Sequence, residues 1–243
     1  KLTQFYGTAV GKKFVVAVTG IMMAGCLVMH MIGNLKAFAG ATKLDDYALY
    51  LRDIGQDMFG HETVLWIARI GLVVAVVAHI FTIVLLVKQN HKARPVKYHV
   101  KKSFVSTFPA RMMRVSGLLL LIFIIVHIAQ FTFGEWLSTP FEECKVYSNI
   151  SHAFGSVWLP WFYVFMMFIV CIHLCHGLWS FFQTLGIDNP DRNKLLRGLA
   201  IVVSLVLFIG FSAVPVAFAT GPVSYTHLRA HEPSLHLVCR LLL

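Results

Sequence analysis

Trp161–Gly186 reads WFYVFMMFIVCIHLCHGLWSFFQTLG, a run of more than twenty residues without a formal charge. As a helix it is long enough to cross a hydrocarbon core of roughly 30 Å. Two histidines, His173 and His176, lie three residues apart within it and so on roughly one face. An imidazole in lipid is costly without a partner, which makes it a functional candidate. Its meaning depends on whether other spans bring matching histidines.

The whole chain has the same character. Of its 243 residues, 58% are hydrophobic and 13% charged, with a mean hydropathy of +0.73. A soluble domain carries about twice that charged fraction, so the composition predicts an integral membrane protein. Five apolar runs stand out, at roughly 13–38, 62–87, 112–137, 157–185 and 196–219. None alternates with period two, which argues against a β-barrel and for an all-α bundle of five transmembrane helices.

The net charge of +10 is distributed for a membrane and not for nucleic acid. Fourteen basic residues would share one side: Lys1, Lys12, Lys13, Lys88, Lys92, Arg94, Lys97, Lys101, Lys102, Arg111, Arg114, Arg192, Lys194 and Arg197. The other side has Lys36, Lys43, Arg52 and Lys145, together with most of the carboxylates. The positive-inside rule then puts the N-terminus in the cytoplasm. The basic loops also offer a docking surface for an acidic or soluble partner.

A chain opening on Lys1 is expected to begin inside or just after a longer N-terminus. The first apolar run is too long for a signal peptide and reads as a retained span. After it, a piece around Asp46–Ile54 is amphipathic and is expected to lie along the outer surface. Pro140 opens a short acidic outer loop, and Gly186 with Pro190 ends the fourth span. The fifth, with Arg197 only at its entrance, reads as structural. The five cysteines form no CxxC pair, and packing is the expected role of the three within spans. Domain limits follow: 1–222 is a five-helix transmembrane domain, and 223–243 is a non-native or disordered tail. His227, His231 and His236 of that tail are set aside, a short metal-binding segment being the alternative.

The remaining intramembrane histidines recur once per span. His30 to His79 is 49 residues, His79 to His127 is 48, and His127 to His173 is 46. At 1.5 Å per residue, His30 and His127 lie about 26 and about 24 Å from the inner end, and His79 and His173 about 14 and about 15 Å from it. The antiparallel order therefore predicts two pairs at two depths: His30 with His127, and His79 with His173. Two imidazoles facing each other across a bundle suit a six-coordinate haem iron. Without a CxxCH motif the haems would be b-type. Thr19-Gly20 precedes His30 by ten residues to the glycine, and Ser116-Gly117 precedes His127 by the same ten. Each glycine thus falls at the depth of the other haem, where a porphyrin would lie against backbone; a small-residue helix contact is the alternative. Arg69 and Arg114 are candidate partners for haem propionates. His176 shares the face of His173, so the two cannot be opposite ligands of one iron.

With these residues in place, the chain resembles the di-haem cytochrome b membrane subunit of succinate:quinone oxidoreductases, of the succinate dehydrogenase cytochrome b558 family. The resemblance is carried by Thr19-Gly20-x9-His30, the following GNLKAFAG, His79, Ser116-Gly117-x9-His127 and His173-x3-GLWSFFQTLG. It implies a multi-pass subunit of a bacterial cytoplasmic membrane, binding two haem b groups. Such a subunit passes electrons between membrane quinone (menaquinone by resemblance) and a cytoplasmic FAD flavoprotein and iron–sulfur subunit. The dicarboxylate chemistry then belongs to those partners. The resemblance maps the fourth ligand onto His173, thirteen residues before Gly186, with His176 beside the inner haem. Quinone is expected by the outer haem, where Asp53, Glu62 and Glu135 are candidate proton exchangers. Some fumarate-reducing members carry a glutamate two residues before the fourth ligand; here that position is Cys171. Alternatives are the cytochrome b subunit of a hydrogenase or formate dehydrogenase, and a transporter using histidines for protons or metal.

Overall fold

The computed structural model describes residues 2–93, 107–136 and 141–221. The loop cations Arg94, Lys97, Lys101 and Lys102, Pro140, and the tail from residue 222 lie outside the described residues. Among the described residues there is helix and no strand. The five spans are α2 (Ala9–Leu35), α5 (Thr63–Lys92), α6 (Phe108–Phe131), α8 (Leu159–Thr184) and α9 (Asn193–Thr220). They fall where the apolar runs predict, with ends shifted by a few residues. Capping explains several limits. Thr8 accepts from Gly11 N at 2.9 Å to start α2, and Thr107 accepts from Ala110 N at 3.4 Å to start α6. Gly186, at φ 71°, turns the chain out of α8 in the left-handed region that glycine tolerates.

Short helices complete the chain. The amphipathic piece forms α3 (Ala41–Asp53), preceded by a 3-10 turn at Lys36–Ala39 and followed by α4 (Gln56–Phe59). Two helices were not legible in the apolar pattern: α1 (Leu2–Gly7), which leads into α2, and α7 (Val146–Phe154), where only a loop was expected. α3 and α7 pack together as a cap over the acidic end of the bundle. Asp45 Oδ1 accepts from Tyr147 N at 3.0 Å, and Arg52 pairs with Glu62 at 2.9 Å and Glu143 at 3.7 Å.

Within the bundle α2 packs against α5, α8 and α9, while α8 packs against α6 and α9. Small polar residues allow the close approach: Ser116 and Ser204 are wholly buried and Thr82 is 1% exposed. The outward stripe of α5, with Ile67, Ile70, Val73, Val74, Val77 and Phe81, is exposed and apolar. Water would penalise such a surface, whereas hydrocarbon does not. The chain is thus a multi-pass membrane protein.

A close contact between two spans is at Gly210 of α9, where an added Cβ would collide with the Sδ and Cγ of Met31, the neighbour of His30. Gly210→Val is expected to lower the thermal unfolding temperature in detergent, and Met31→Ala in the same chain to recover part of the loss. Additive losses in that double-mutant cycle would contradict the contact.

Candidate functional site

Each of four spans contributes one histidine, and the structure brings them together by depth. His30 of α2 and His127 of α6 meet edge to face, with ring centres 5.8 Å apart at an interplanar angle of 81°. Phe211, Phe123 and Phe131 stack around them, with ring centres 5.5–5.7 Å from one or other imidazole. At the second level His79 of α5 lies against Gly20 of α2, and His173 of α8 against Gly117 of α6.

For three of the four rings the hydrogen bonds favour one tautomer. Thr19 Oγ1 donates its one proton to the Val15 carbonyl at 2.7 Å. Lying also 3.0 Å from His79 Nδ1, that oxygen can only accept there. The bond therefore holds the proton on Nδ1 and leaves the Nε2 lone pair open. Ser116 repeats the arrangement on α6. Its hydroxyl lies 3.2 Å from Met113 O, to which it can donate, and 3.0 Å from His173 Nδ1, from which it can then accept. A third case uses a phenol: Tyr163 donates to Gln130 Oε1 at 2.8 Å and accepts from His127 Nδ1 at 3.4 Å. Three imidazoles on three helices are thus prepared as Nε2 donors, each by a hydroxyl whose own proton is committed elsewhere. This is the outer-shell arrangement that orients metal-bound histidine.

The glycines occupy the expected depths but make room for something not foreseen. A Cβ on Gly20 would lie 3.5 Å from His79 Cε1, and one on Gly117 would lie 3.6 Å from His173 Cε1. Each glycine therefore faces the imidazole that its preceding hydroxyl anchors. The hydroxyl-glycine pair is one device, used once on α2 and once on α6.

These residues fit a haem. Two bonds of about 2 Å from one metal to two imidazole nitrogens put ring centres on the order of 6 Å apart. The His30–His127 separation of 5.8 Å is of that size. Among the described residues no cluster of three or more His, Cys, Asp or Glu side chains could hold a metal ion.

Other candidate residues are placed less centrally. His176 lies 6.1 Å from the Trp179 ring, and among the described residues His176 Nδ1 and Trp179 Nε1 are buried without a hydrogen bond. Arg69 stacks over Trp66 at 4.9 Å, and Arg114 is exposed. Glu62 is engaged by Arg52 and by Trp66 Nε1, the latter at 3.2 Å. Asp53 pairs with His61 at 3.2 Å on the exposed cap, and Glu135 is exposed. Among the described residues none of these three carboxylates is bonded to His30 or His127. Sequence reasoning quoted Thr19 and Ser116 without seeing their role; the repeated hydroxyl-glycine pair was the available signal. Tyr163 and Gln130 carried none, because Tyr163 lies 36 residues from the histidine it holds.

Five apolar helices, with His30 and His127 meeting inside the bundle, define a multi-pass membrane subunit. The model of the succinate dehydrogenase/fumarate reductase transmembrane subunit family matches residues 90–213, just over half of the chain, and the chain belongs to that family. No curated protein and no solved structure matches it.

The tautomers can be read by nitrogen NMR of histidine-labelled protein. His79, His173 and His127 are expected to be protonated at Nδ1, and Thr19→Val to release His79 into a mixture. Tyr163→Phe leaves the buried Gln130 oxygen unpaired and should cost about 1–3 kcal/mol of stability. An unchanged His79 spectrum in Thr19→Val would rule out the anchoring bond.

Proposed function

We propose that this family member relays electrons through two b-type haems, with His30 and His127 holding the outer one and His79 and His173 the inner. The observation that supports this most directly is the set of Nδ1 anchors, which leaves Nε2 lone pairs at two matched depths. His173 is preferred to His176 as the fourth ligand because it alone has the Ser116 anchor that mirrors Thr19 on His79. When bound, each haem supplies one-electron redox chemistry; the chain supplies axial nitrogens, an apolar surround and fixed ring orientations. Gly20 and Gly117 keep the approach to the inner pair free of side chains.

In this reading residues 1–222 form the cytochrome domain, and the tail from 223 to 243 takes no part. The basic end faces the bacterial cytoplasm by the positive-inside rule. There it would dock the FAD flavoprotein and the iron–sulfur subunit that carry out dicarboxylate chemistry. Quinone, taken to be menaquinone, exchanges electrons near the outer haem, with Asp53, Glu62 and Glu135 as nearby proton carriers. Glu62 is the best positioned to couple such a site to the cap, because its carboxylate already bridges Arg52 and Trp66.

Reduced-minus-oxidised spectra and a haem assay of the purified subunit test the proposal, with two haems per chain expected. His30→Ala or His127→Ala should remove the outer haem, and His79→Ala or His173→Ala the inner. Retention of two haems in all four variants would sink the reading. Gly20→Ala is a sharper probe. The added methyl sits at an ordinary 3.5 Å from His79, so the fold should tolerate it, and selective loss of the inner haem would report a macrocycle against that backbone.

A further inference from the structure

Lys12 and Lys13 are neighbours in sequence, and the fold treats them oppositely. Lys13 is exposed, as a topology-determining lysine at a membrane face should be. Lys12 keeps only 8% of its surface. Lysine is almost never buried without a partner, and its long stem ordinarily lets the ammonium reach water. Here Nζ donates to the Gly7 carbonyl at 2.8 Å and lies 5.6 Å from the centre of the Tyr6 ring. Neither carries a negative charge. Lys12 also sits in the first turn of α2, where the helix dipole disfavours a cation. Among the described residues Arg52 pairs with Glu62 and Glu143, and His61 hydrogen-bonds Asp53, all at the acidic end. A buried cation in this position calls for an anion.

Its surroundings say where that anion comes from. Lys12 is seven residues before Thr19, two helical turns, which puts both on one stripe of α2 about 10 Å apart along the axis. The cover over Lys12 is tied to the same seam. The Tyr6 hydroxyl is 3.1 Å from Thr82 Oγ1, and Thr82, 1% exposed, lies three residues from His79 on α5. The ammonium therefore lies in the α2–α5 seam, directly toward the basic end from the inner histidine pair. A haem b brings carboxylates into the bundle, and they need cationic partners there. Arg69 is stacked over Trp66 beside the acidic cap, and Arg114 is exposed. A lipid phosphate or a partner's acidic side chain would be met by an exposed cation such as Lys13, not by one closed over by α1.

We propose that Lys12, held under Tyr6, is the binding site for a carboxylate of the inner haem. The assignment rests on the two-haem reading above. It makes α1 a lid whose Tyr6–Thr82 bond fixes the cation against that group. A neighbouring positive charge favours the reduced iron, so removing it should make the haem harder to reduce.

The test is a redox titration of both haems in the purified complex, with the inner haem identified as the one lost in His79→Ala. Lys12→Gln is expected to lower the midpoint potential of the inner haem and leave the outer one in place, whereas Lys13→Gln moves neither. Unchanged potentials in Lys12→Gln, equal shifts of both haems, or an equal effect of Lys13→Gln would overturn the assignment while leaving two haems standing. A wild-type preparation without a haem spectrum would instead remove the reading it rests on. Loss of co-purifying anionic phospholipid in Lys12→Gln, with both potentials intact, would assign the ammonium to a lipid headgroup and overturn the proposal. If the Lys12 variant does not assemble, Tyr6→Phe reads the same site. It frees Thr82 and loosens the cover, and a downward shift confined to the inner haem is expected; no shift counts against the assignment.

Discussion

An imidazole inside hydrocarbon has an N–H that no water can satisfy, and leaving it unpaired costs free energy comparable to a lost hydrogen bond. That constraint organises this bundle. Three of the four paired histidines put their Nδ1 protons on oxygens from a neighbouring helix. The oxygens are committed in turn, because each hydroxyl spends its own proton on a carbonyl or amide oxygen. Every anchor therefore joins two helices, α2 to α5, α6 to α8, and again α6 to α8 through Tyr163. The pairings that satisfy the histidines are among the pairings that hold the bundle together.

The anchors of the inner pair repeat. Thr19-Gly20 on the first span meets His79 on the second, and Ser116-Gly117 on the third meets His173 on the fourth. One geometric unit, two antiparallel helices sewn by a hydroxyl and an imidazole, is used twice. The family match covers residues 90–213 and so contains only the second copy whole. The first copy presents the same residue types to the same level of the bundle. The outer pair is built differently. His127 uses a phenol from α8, and its surroundings are aromatic, with Phe123, Phe131, Phe154, Phe162 and Tyr163 packed ring to ring.

Charge is handled by position. The acidic cap gathers its carboxylates around Arg52 and around backbone N–H groups, which ties α3 and α7 to the mouth of α5. The opposite end has an excess of cations, and most of those among the described residues are exposed. Lys12 departs from that pattern, being closed under α1 beside the inner histidine seam.

Sequence alone determined the class and the span count, because hydrocarbon accepts only long apolar helices and five such runs are present. A fixed rise per residue also converts histidine spacing into depth, and the contact of His30 with His127 follows that order. Tertiary structure decided what spacing cannot encode: azimuth and contact. That Thr19 and Ser116 face the histidines of the neighbouring helix depends on how each helix is rotated about its axis. Whether the space beside Gly20 faces an imidazole or another helix depends on the same rotation. The rings of His127 and Tyr163 meet only because α6 packs on α8. The opposite fates of Lys12 and Lys13 come from one step of about 100° around α2, which turns one ammonium under α1 and the other outward. The helices α1 and α7 escaped the apolar pattern because they are too short to show it. Their ordering depends on what they cover.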